Sequence, residues 1–521
     1  MRFVLPLLLV LFLAPASAQN ELIVRWNYER EGERIQLPVG TERTWLSRAW
    51  RIEQLTFPDD LARAQVQGQL KKAGVSTEPL RPVTFRATTP NDPEYGNQQT
   101  NFRRSGFERA WDLTTGGRTA DGHDIVIAVL DAGFDITHED LSPNLWTNPA
   151  EIPDDGLDND GNGYVDDRHG WDFSDDDPVY PRDPHGTQVI GLLGARGDNG
   201  RGLTGTNWRT RMMLFSIAST ADVIRAYEYV RDQRQRWNET DGREGALVVV
   251  TNASFGVEGA TCSDFPVWGG IYEELGRVGI LTAASAANRR WDVDINGDMP
   301  VDCPTEFLIG VTNVNENDNL YRSSAFGRAS VDLATPGEGS YSTRPNNAYA
   351  PFSGTSAAAP YVTGAVALLY TTPCPALASR LREDPARAAL LVRSALLSTV
   401  TDRPQLRSRT ATGGTLDVAA AQLALADGCD GGDRQPLAIT ATTPNPARGE
   451  VVLETNALVL SAGARVDVID RAGRVVRSVA AEVLVGSPIR LRVDLAGLGG
   501  GVYYLRVVDR ERVAGGSLVV Y

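Results

Sequence analysis

The middle of the chain, from about residue 105, alternates short apolar runs with stretches of helical periodicity. The runs are IVIAVL at 125, RMMLFSI at 211, ALVVV at 246, GILTAA at 279 and FLIGVTNV at 307. Between them, Val223, Ala226, Tyr227 and Val230 fall on one face of a predicted helix. Apolar runs of this kind are typical of strands that helices cover on both faces. The region is therefore predicted to be an α/β fold with a buried parallel sheet.

Both ends of the chain differ from this middle part. Residues 20 to about 88 combine apolar stretches such as ELIVRW with the helix-like DDLARAQVQGQLKKAG. They lead into the turn-rich TTPNDPEYGNQQ, which predicts a small α/β unit followed by an exposed connector. From about 438, the stretches RVDVID, IRLRVDL and GVYYLRVVD alternate apolar and charged residues with period two. This pattern predicts a separate, small antiparallel β-sandwich.

The first 18 residues, MRFVLPLLLVLFLAPASA, have the form of a secretory signal that is cleaved before Gln19. A membrane anchor is the weaker interpretation, because the apolar run is shorter than the roughly 20 residues of a spanning helix. No later segment of the sequence is long and apolar enough to span. The remaining chain is too long for one ordinary core. We therefore expect an exported, soluble protein with several folded units.

Composition narrows the choice of partners. The net charge is -15, acidic residues cluster in loops and the sequence has no basic stripe, which argues against a nucleic-acid partner. Cysteines in an exported chain, without CxxC spacing, predict two disulfides rather than a metal site. Four cysteines allow three pairings, of which we favour Cys262 with Cys303 and Cys374 with Cys429.

The stretch SGTSAAAPYVTGAVALLY, residues 353 to 370, opens a buried helix with hydroxyl side chains. Ser356 could simply cap the helix, or it could be a nucleophile beside free backbone N–H groups at the positive end of the helix dipole. The second interpretation needs a base and an acid elsewhere in the chain. Asp131 directly follows the strand IVIAVL, and His185 opens the helix in DPHGTQVIGLLGA. The order is Asp131, His185, Ser356.

The motifs DAGFD, HGTQVIG and SGTSAAAP resemble the three motifs of the subtilisin-like (subtilase) serine peptidases, in that family's chain order. The resemblance covers about 105 to 430. It implies a parallel α/β sandwich that hydrolyses peptide bonds, with Ser356 as nucleophile, His185 as base and Asp131 as the group that orients the base. It also implies that residues 19 to about 90 are a propeptide, which assists folding, occupies the cleft as an intramolecular inhibitor and is then removed.

The same resemblance assigns the groups that hold the substrate. The oxyanion donors would be the Ser356 N–H and Asn288, which ends the strand GILTAASAAN. The family usually has glycine before this asparagine, whereas this chain has Ala287, which would be strained if the backbone there needs a positive φ. Asn252 is the rival donor. Its neighbours Ser254, Phe255 and Gly256 look more like the edge that pairs with the substrate, and Phe255 would narrow the cleft.

The loop EIPDDGLDNDGNGYVDD, between Asp131 and His185, carries closely spaced oxygen ligands. Such ligands, without thiols or imidazoles, suit a structural calcium ion, although the glutamate expected at the twelfth position of an EF-hand loop is missing. A solvated acidic loop is the alternative interpretation. The shorter DVDINGD, residues 292 to 298, repeats the theme. The predicted ligands are Asp158, Asp160, Asn162, the carbonyl of Tyr164, and Asp166.

The C-terminal stretches TTPNPARGEVVLE, VDVIDRAGRVV and VDLAGLGGGVYYLRVV resemble the sorting domain of the type IX (Por) secretion system. The resemblance implies contact with the outer-membrane secretion machinery. It also implies that the protein is secreted or lies on the outer cell surface of a Gram-negative bacterium. A generic binding sandwich is the alternative. His123, His138 and His169 are expected to be structural.

The predicted organisation is a signal peptide at 1–18, a propeptide at 19–90, a catalytic domain at 91–432 and an Ig-like sandwich at 438–521. The expected activity is that of a secreted serine endopeptidase that acts on proteins or peptides through an acyl-enzyme. Two alternatives remain open at this stage. One is a catalytically inactive cell-surface binding protein on the same scaffold, and the other is a serine hydrolase that acts on esters.

Overall fold

The structure, a computed structural model, describes residues 20–27, 35–80, 88–427, 429, 438–455, 464–480, 482–484, 489–509 and 512–521. The predicted signal peptide lies outside these residues. The chain divides into two compact units, Met1–Arg86 and Ala87–Tyr521. The division falls close to the predicted end of the propeptide.

In the described residues of the first unit, four strands form an antiparallel sheet beside one helix. The strand order is β2-β3-β1-β4, and Leu22, Val24 and Leu55 of the sheet pack with Val66 and Leu70 of the helix. Asp59 caps the helix by accepting the Ala62 N–H at 2.8 Å. The elements are β1 (Glu21–Arg25), β2 (Glu42–Ser47), β3 (Ile52–Thr56), α1 (Asp60–Lys72) and β4 (Ser76–Pro79).

The second unit contains a nine-stranded sheet, in the order β16-β17-β13-β12-β10-β8-β5-β7-β6. Neighbouring strands are parallel throughout, except for the last pair, β16 with β17. Two short antiparallel pairs, β9 with β11 and β14 with β15, lie outside this sheet. The strands are β5 (Val126–Asp131), β6 (Gly170–Asp172), β7 (Arg211–Ser216), β8 (Val248–Ala253), β9 (Val257–Glu258), β10 (Leu281–Ser285), β11 (Asp298–Met299), β12 (Leu308–Val314), β13 (Leu333–Pro336), β14 (Ser340–Arg344), β15 (Ala348–Phe352), β16 (Thr401–Asp402) and β17 (Gly414–Thr415).

Helices cover both faces of this sheet. Ile127 and Val129 of β5 belong to the core that contains α4 and α8, whereas Ala128 and Leu130 belong to the core that contains α5 and α6. Successive strand residues point to opposite faces, so the apolar runs need apolar partners on both sides. The helices are α2 (Tyr95–Arg104), α3 (Phe107–Ala110), α4 (Pro184–Gly194), α5 (Thr220–Thr240), α6 (Pro266–Arg277), α7 (Val293–Asn296), α8 (Thr355–Tyr370), α9 (Pro375–Glu383), α10 (Pro385–Ser398) and α11 (Val418–Asp427).

The described residues of the C-terminal part form eight strands, in the order β21-β20-β24-β25-β18-β19-β23-β22. The period-two pattern puts the apolar residues on one face of each strand, as predicted. Val466, Val468, Leu505 and Val507 are buried together in a core of their own. All the pairs are antiparallel except β18 with β25. The strands are β18 (Ile439–Arg448), β19 (Glu450–Thr455), β20 (Arg465–Ile469), β21 (Val475–Ala480), β22 (Glu482–Leu484), β23 (Ile489–Asp494), β24 (Gly501–Asp509) and β25 (Arg512–Val520).

Both disulfides have the favoured pairing. Cys262 is bonded to Cys303 and Cys374 to Cys429, with Cα atoms 5.0 and 5.2 Å apart. Among the helices that the structure describes, no single one is long and apolar enough to cross a membrane, although the bent pair α8 and α9 passes that test together.

Candidate active site

The carboxyl end of β5 places an acid beside the start of α4. Asp131 is the last residue of β5 and is buried, and His185 is the second residue of α4. His185 Nδ1 lies 2.8 and 3.1 Å from the two carboxylate oxygens of Asp131. Because Asp131 holds Nδ1, Nε2 is the ring nitrogen left to accept a proton.

The charges around His185 favour its protonated form. Burial lowers the pKa of the imidazole, but the hydrogen bond and charge of Asp131 and the charge of Asp183 outweigh it, so the pKa is raised. Asp183 also caps α4 by accepting the His185 N–H at 2.7 Å. The Phe352 ring packs edge-on against the imidazole, with centroids 5.7 Å apart. The imidazole is thus fixed by a helix cap, a carboxylate and an aromatic ring.

Ser356 lies in the first turn of α8, which is buried along its whole length. Gly354 precedes the helix with φ of 106°, a conformation that strongly favours glycine. The Ser356 hydroxyl donates to the Ser254 carbonyl at 3.4 Å, while the Ser254 hydroxyl donates to the Ser356 carbonyl at 3.2 Å. The structure therefore aims the Ser356 hydroxyl at the neighbouring strand end and records no hydrogen bond from it to His185.

Two N–H groups beside Ser356 are free to bind an anion. Asn288 Oδ1 accepts both the N–H and the hydroxyl of Thr355, each at 3.1 Å. This contact fixes the Asn288 amide next to the start of α8. Within the part of the chain that the structure describes, neither the Ser356 N–H nor the Asn288 amide nitrogen donates a hydrogen bond. First-turn N–H groups of a helix have no partner within that helix, which explains why Ser356 N is available.

The contacts of Ala287 and Asn252 bear on two questions raised by the sequence. Ala287 is absent from the residues with positive φ, so alanine is not strained there. Its N–H donates to Asp298 Oδ2 at 2.6 Å. Asn252 is fully buried, donates to Ser254 Oγ at 2.9 Å and accepts the Thr363 hydroxyl at 2.8 Å. Its amide therefore ties β8 to α8, whereas Asn288 has a free donor.

An open edge follows β8. The strand ends at Ala253, and the next three residues, Ser254 to Gly256, make no backbone ladder with any strand of the described chain. A side chain on Gly256 would collide with the carbonyl of Met299. Beside this edge is a cavity of about 340 Å³, lined by Asp131, Ala132, His185, Ile217, Ala218, Ser219, Thr220, Val223, Ser254, Phe255, Gly256, Val257 and Trp268. Phe255 stacks on Trp268 in its wall, with an interplanar angle of 20°.

Comparison with known families decides the affiliation of this α/β region. Residues 122–414, more than half of the chain, match the model of the subtilase family. The chain belongs to the subtilase family. Residues 443–520 match a second model, that of the secretion system C-terminal sorting domain.

Individual subtilases are distant from this chain. Subtilisin-like protease 1 of Plasmodium falciparum is 30% identical over 276 residues, which cover 47% of this chain and 37% of that protein. Thermitase of Thermoactinomyces vulgaris is 26% identical over 292 residues, which cover 54% of this chain and 85% of thermitase. Among solved structures, a Pseudoalteromonas arctica protease is 24% identical with a TM-score of 0.46, covering 65% of this chain and all of its own. The chain spans just over a third of the length of the Plasmodium relative.

Carboxylates of the acidic loop come together around Glu151, a residue that was not among the predicted ligands. Ligand oxygens of Glu151, Asp158 and Asp160 lie within 4.8 Å of one another. Glu151 Oε1 accepts the N–H groups of Asn159 and Asp160, at 2.8 and 3.1 Å, while Oε2 is buried and has no partner in the described chain. Glu151 precedes the spaced aspartates, so the ligand spacing gave no signal for it.

The other predicted ligands have different positions. Asp166 lies outside the carboxylate cluster: its side chain accepts the N–H groups of Asp155 and Gly156, at 3.2 and 3.0 Å, and holds that turn. Asn162 Oδ1 accepts the Tyr164 N–H at 2.8 Å, and its amide donates to Asp167. The ring of Tyr164 packs edge-on against Phe173. Only Asp158 and Asp160 of the predicted set therefore lie in the carboxylate cluster.

The carboxylates of the second acidic loop, residues 292 to 298, point to different partners. Asp292 caps α7, and Asp294 accepts the N–H groups of Ala329 and Ser330. Asp298 points instead to Ala287. Within the described residues these three carboxylates form no metal-type cluster.

The remaining histidines occupy structural positions. His138 is fully buried between the Ala348 carbonyl and the Asp140 N–H, and burial lowers its pKa. His169 Nδ1 lies 2.6 Å from the Trp146 carbonyl, and burial also lowers its pKa. His123 packs edge-on against Trp237.

Proposed function

We propose that this subtilase is a serine endopeptidase in which Ser356 attacks the peptide carbonyl, His185 transfers the proton and Asp131 orients His185. The observation that carries the proposal is the contact of 2.8 Å between Asp131 and His185 Nδ1. It stands beside a helix whose first turn presents Ser356 and free N–H groups. The combination supports nucleophilic acyl transfer, because a hydroxyl needs an oriented base before it can attack.

The reaction follows from these positions in two halves. His185 Nε2 takes the Ser356 proton while Oγ bonds to the carbonyl carbon, and the carbonyl oxygen becomes an oxyanion between the Ser356 N–H and the Asn288 amide. The imidazolium then protonates the leaving nitrogen, the C–N bond breaks and an acyl-enzyme remains. In the second half, water takes the place of the amine and loses a proton to His185 as it attacks the acyl carbon. The imidazolium then protonates Ser356 Oγ as the bond between Oγ and the acyl carbon breaks, which releases the carboxylic acid and restores the serine.

Asp131 contributes by its charge and its position. It holds the Nδ1 proton and stabilises the imidazolium that forms between the two proton transfers. Its carboxylate is itself held by the Ala132 N–H, which donates to Oδ1 at 2.8 Å. Before each attack, the Ser356 hydroxyl would turn from the Ser254 carbonyl towards His185.

Amide hydrolysis tests the proposal against both alternatives. The mature protein should hydrolyse peptide amides as well as esters, and Ser356→Ala should remove both activities. The loss should be about 10⁶-fold in kcat, the magnitude known from subtilisin itself. Ser353→Ala, which alters an exposed serine three residues earlier, is the matched control and should keep full activity. Ester hydrolysis without amide hydrolysis would favour the esterase alternative. A folded, propeptide-free protein inactive on both would favour the binding protein.

We also propose that the loop around Glu151 binds a structural calcium ion. A buried carboxylate oxygen without a donor is costly, and a cation between Glu151, Asp158 and Asp160 would offset that cost. The donors are all hard oxygen atoms, which fits calcium better than a transition metal. Because none of them belongs to the proposed catalytic set, the ion would stabilise the fold and take no part in the reaction.

The two ends of the chain support an exported zymogen. The sorting-domain match at residues 443–520 supports passage across the outer membrane of a Gram-negative bacterium and final release or surface attachment. We assign residues 19–90 to a propeptide because of their place before the subtilase region. A chain of this kind would be kept inactive by its own first unit until the connector is cut.

A further inference from the structure

Asp298 is a buried carboxylate between the two segments that flank the proposed reaction centre. It is 2% exposed, and its Oδ2 accepts the N–H of Ala287, the residue before Asn288. Its strand β11 pairs with β9, so that Asp298 lies opposite Glu258 and Met299 lies opposite Val257. Strand β9 begins directly after the open edge that ends at Gly256. Asp298 therefore connects the oxyanion asparagine to the substrate-pairing edge.

None of the cations that the structure describes is paired with this carboxylate. Among the described residues, no arginine, lysine or histidine forms an ion pair with Asp298. The charged neighbours are acidic, namely Glu258 and Asp302, and the nearby Arg289 is paired with Glu258 at 2.5 Å. Burial, followed by the charges of Glu258 and Asp302, raises the pKa of Asp298 to about 7. A buried, ionised carboxylate without a cationic partner is destabilising, so such a group takes up a proton or pairs with a cation that another molecule brings.

On the basis of the proposed peptidase function, we propose that Asp298 selects an arginine or lysine side chain on the residue that precedes the scissile bond. The oxyanion donors fix the carbonyl of that residue at Asn288. Its backbone would lie along Ser254 to Gly256, so its side chain enters between this edge and Ala287. Asp298, which accepts the Ala287 N–H and lies opposite Glu258 in the β9–β11 pair, would form the base of that space and supply the negative charge that a guanidinium or ammonium group binds.

The chain contains a segment that fits this preference. The division between the two compact units falls at the Arg86–Ala87 bond, within the sequence PVTFRATTPN of residues 82 to 91. Arg86 thus lies four residues before the assigned end of the propeptide, in the segment that joins it to the subtilase region. The segment supplies a natural peptide for the test.

The test compares two peptides in the purified wild-type protein. One has the sequence of residues 82 to 91, and the other carries leucine in place of Arg86. The arginine peptide should be cut after Arg86 with a kcat/KM at least about tenfold higher than the leucine peptide, the discrimination expected of a buried charge pair. Equal rates, or a preference for leucine, would overturn the proposal.

The variant Asp298→Asn separates selection from a purely structural role. The amide can still accept the Ala287 N–H, so hydrolysis of the leucine peptide should persist while the arginine preference disappears. An equal decrease of kcat/KM for both peptides would show that Asp298 only positions the loop and would overturn the proposal. Asp294→Asn is the matched control, because it removes a charge from the same loop without touching Ala287, and the preference should remain.

The pH dependence of the preference gives a second, variant-independent result. The ratio of the two kcat/KM values cancels the titration of His185, which both peptides share. Since only the ionised carboxylate binds a cation, the ratio should rise in the wild type as the pH increases through about 7 and stay flat in Asp298→Asn. A flat ratio in the wild type would overturn the proposal.

Activity on casein without arginine preference refutes this selectivity alone, whereas no amide hydrolysis and no labelling of Ser356 refutes the peptidase function as well.

Discussion

At the residue scale, the proposed catalytic groups owe their positions to the ends of regular elements. Asp131 ends a buried strand, while His185 and Ser356 lie in the first turns of buried helices. This placement can be predicted from sequence, because strand and helix ends follow from apolar patterns. The roles of Glu151 and Asp298 could not be predicted in this way. Both lie near loops, where the direction of a side chain depends on contacts with distant residues.

Asn288 offers the most direct residue-scale test of oxyanion binding. Replacement by alanine removes the free amide donor, so the transition state loses a hydrogen bond while the bound substrate loses little. Turnover should fall about 10²-fold to 10³-fold with a nearly unchanged KM, a magnitude that comes from subtilisin. Steady-state kinetics with a peptide amide measures both constants. An unchanged kcat would remove Asn288 from the oxyanion site.

His185 predicts an acidic limit to activity. Its pKa is raised, and the base works only when neutral, so activity should be lost as the pH falls through a value above the usual 6.5. The charge of Asp183 contributes to this increase. Asp183→Asn keeps a good helix cap and removes the charge, so the acidic limb of kcat/KM should move to lower pH. A limb that stays in place, or moves upward, would contradict the assignment of His185 as the base.

At the scale of elements, apolar patterning predicts the central sheet well. The run IVIAVL corresponds to β5, and the predicted helical face of Val223, Ala226, Tyr227 and Val230 is buried in α5. The helix continues past Val230 to Thr240, and Trp237 is buried in this last part. The pair β9 with β11 was not predicted, since strands of two residues carry no periodicity. Short elements of this kind shape the rim of the site.

The calcium loop gives a prediction at this scale. Chelation should lower the melting temperature of the wild type by several degrees, because an ion that binds only the folded state stabilises it by about 2.7 kcal/mol at a hundred times Kd. Glu151→Gln should remove most of this calcium-dependent shift. Asp175→Asn, an exposed charge change elsewhere on the same connection, should retain it. Differential scanning calorimetry with and without calcium provides the measurement, and a wild-type melting temperature that does not respond to chelation would refute the calcium site.

At the scale of the whole molecule, the sequence divides into regions with separate cores. The N-terminal sheet, the two faces of the subtilase sheet and the C-terminal sandwich each bury their own apolar residues. Changes in apolar periodicity predict these divisions because each fold type has its own period. The proposed catalytic residues, in contrast, all lie near the carboxyl ends of the central strands of one sheet. We therefore expect the N-terminal unit to govern folding and the time of activation, and the C-terminal sandwich to govern export. Hydrolysis itself should depend on the subtilase region.

The central claim is that Ser356 is an activated nucleophile. The most direct measurement is the intact mass of the purified mature protein after treatment with a fluorophosphonate, which reacts with such serines. The wild type should gain the mass of one adduct, and the Ser356→Ala variant should gain none. A correctly folded, propeptide-free wild type that remains unlabelled, or a Ser356→Ala variant that is labelled equally, would contradict the claim.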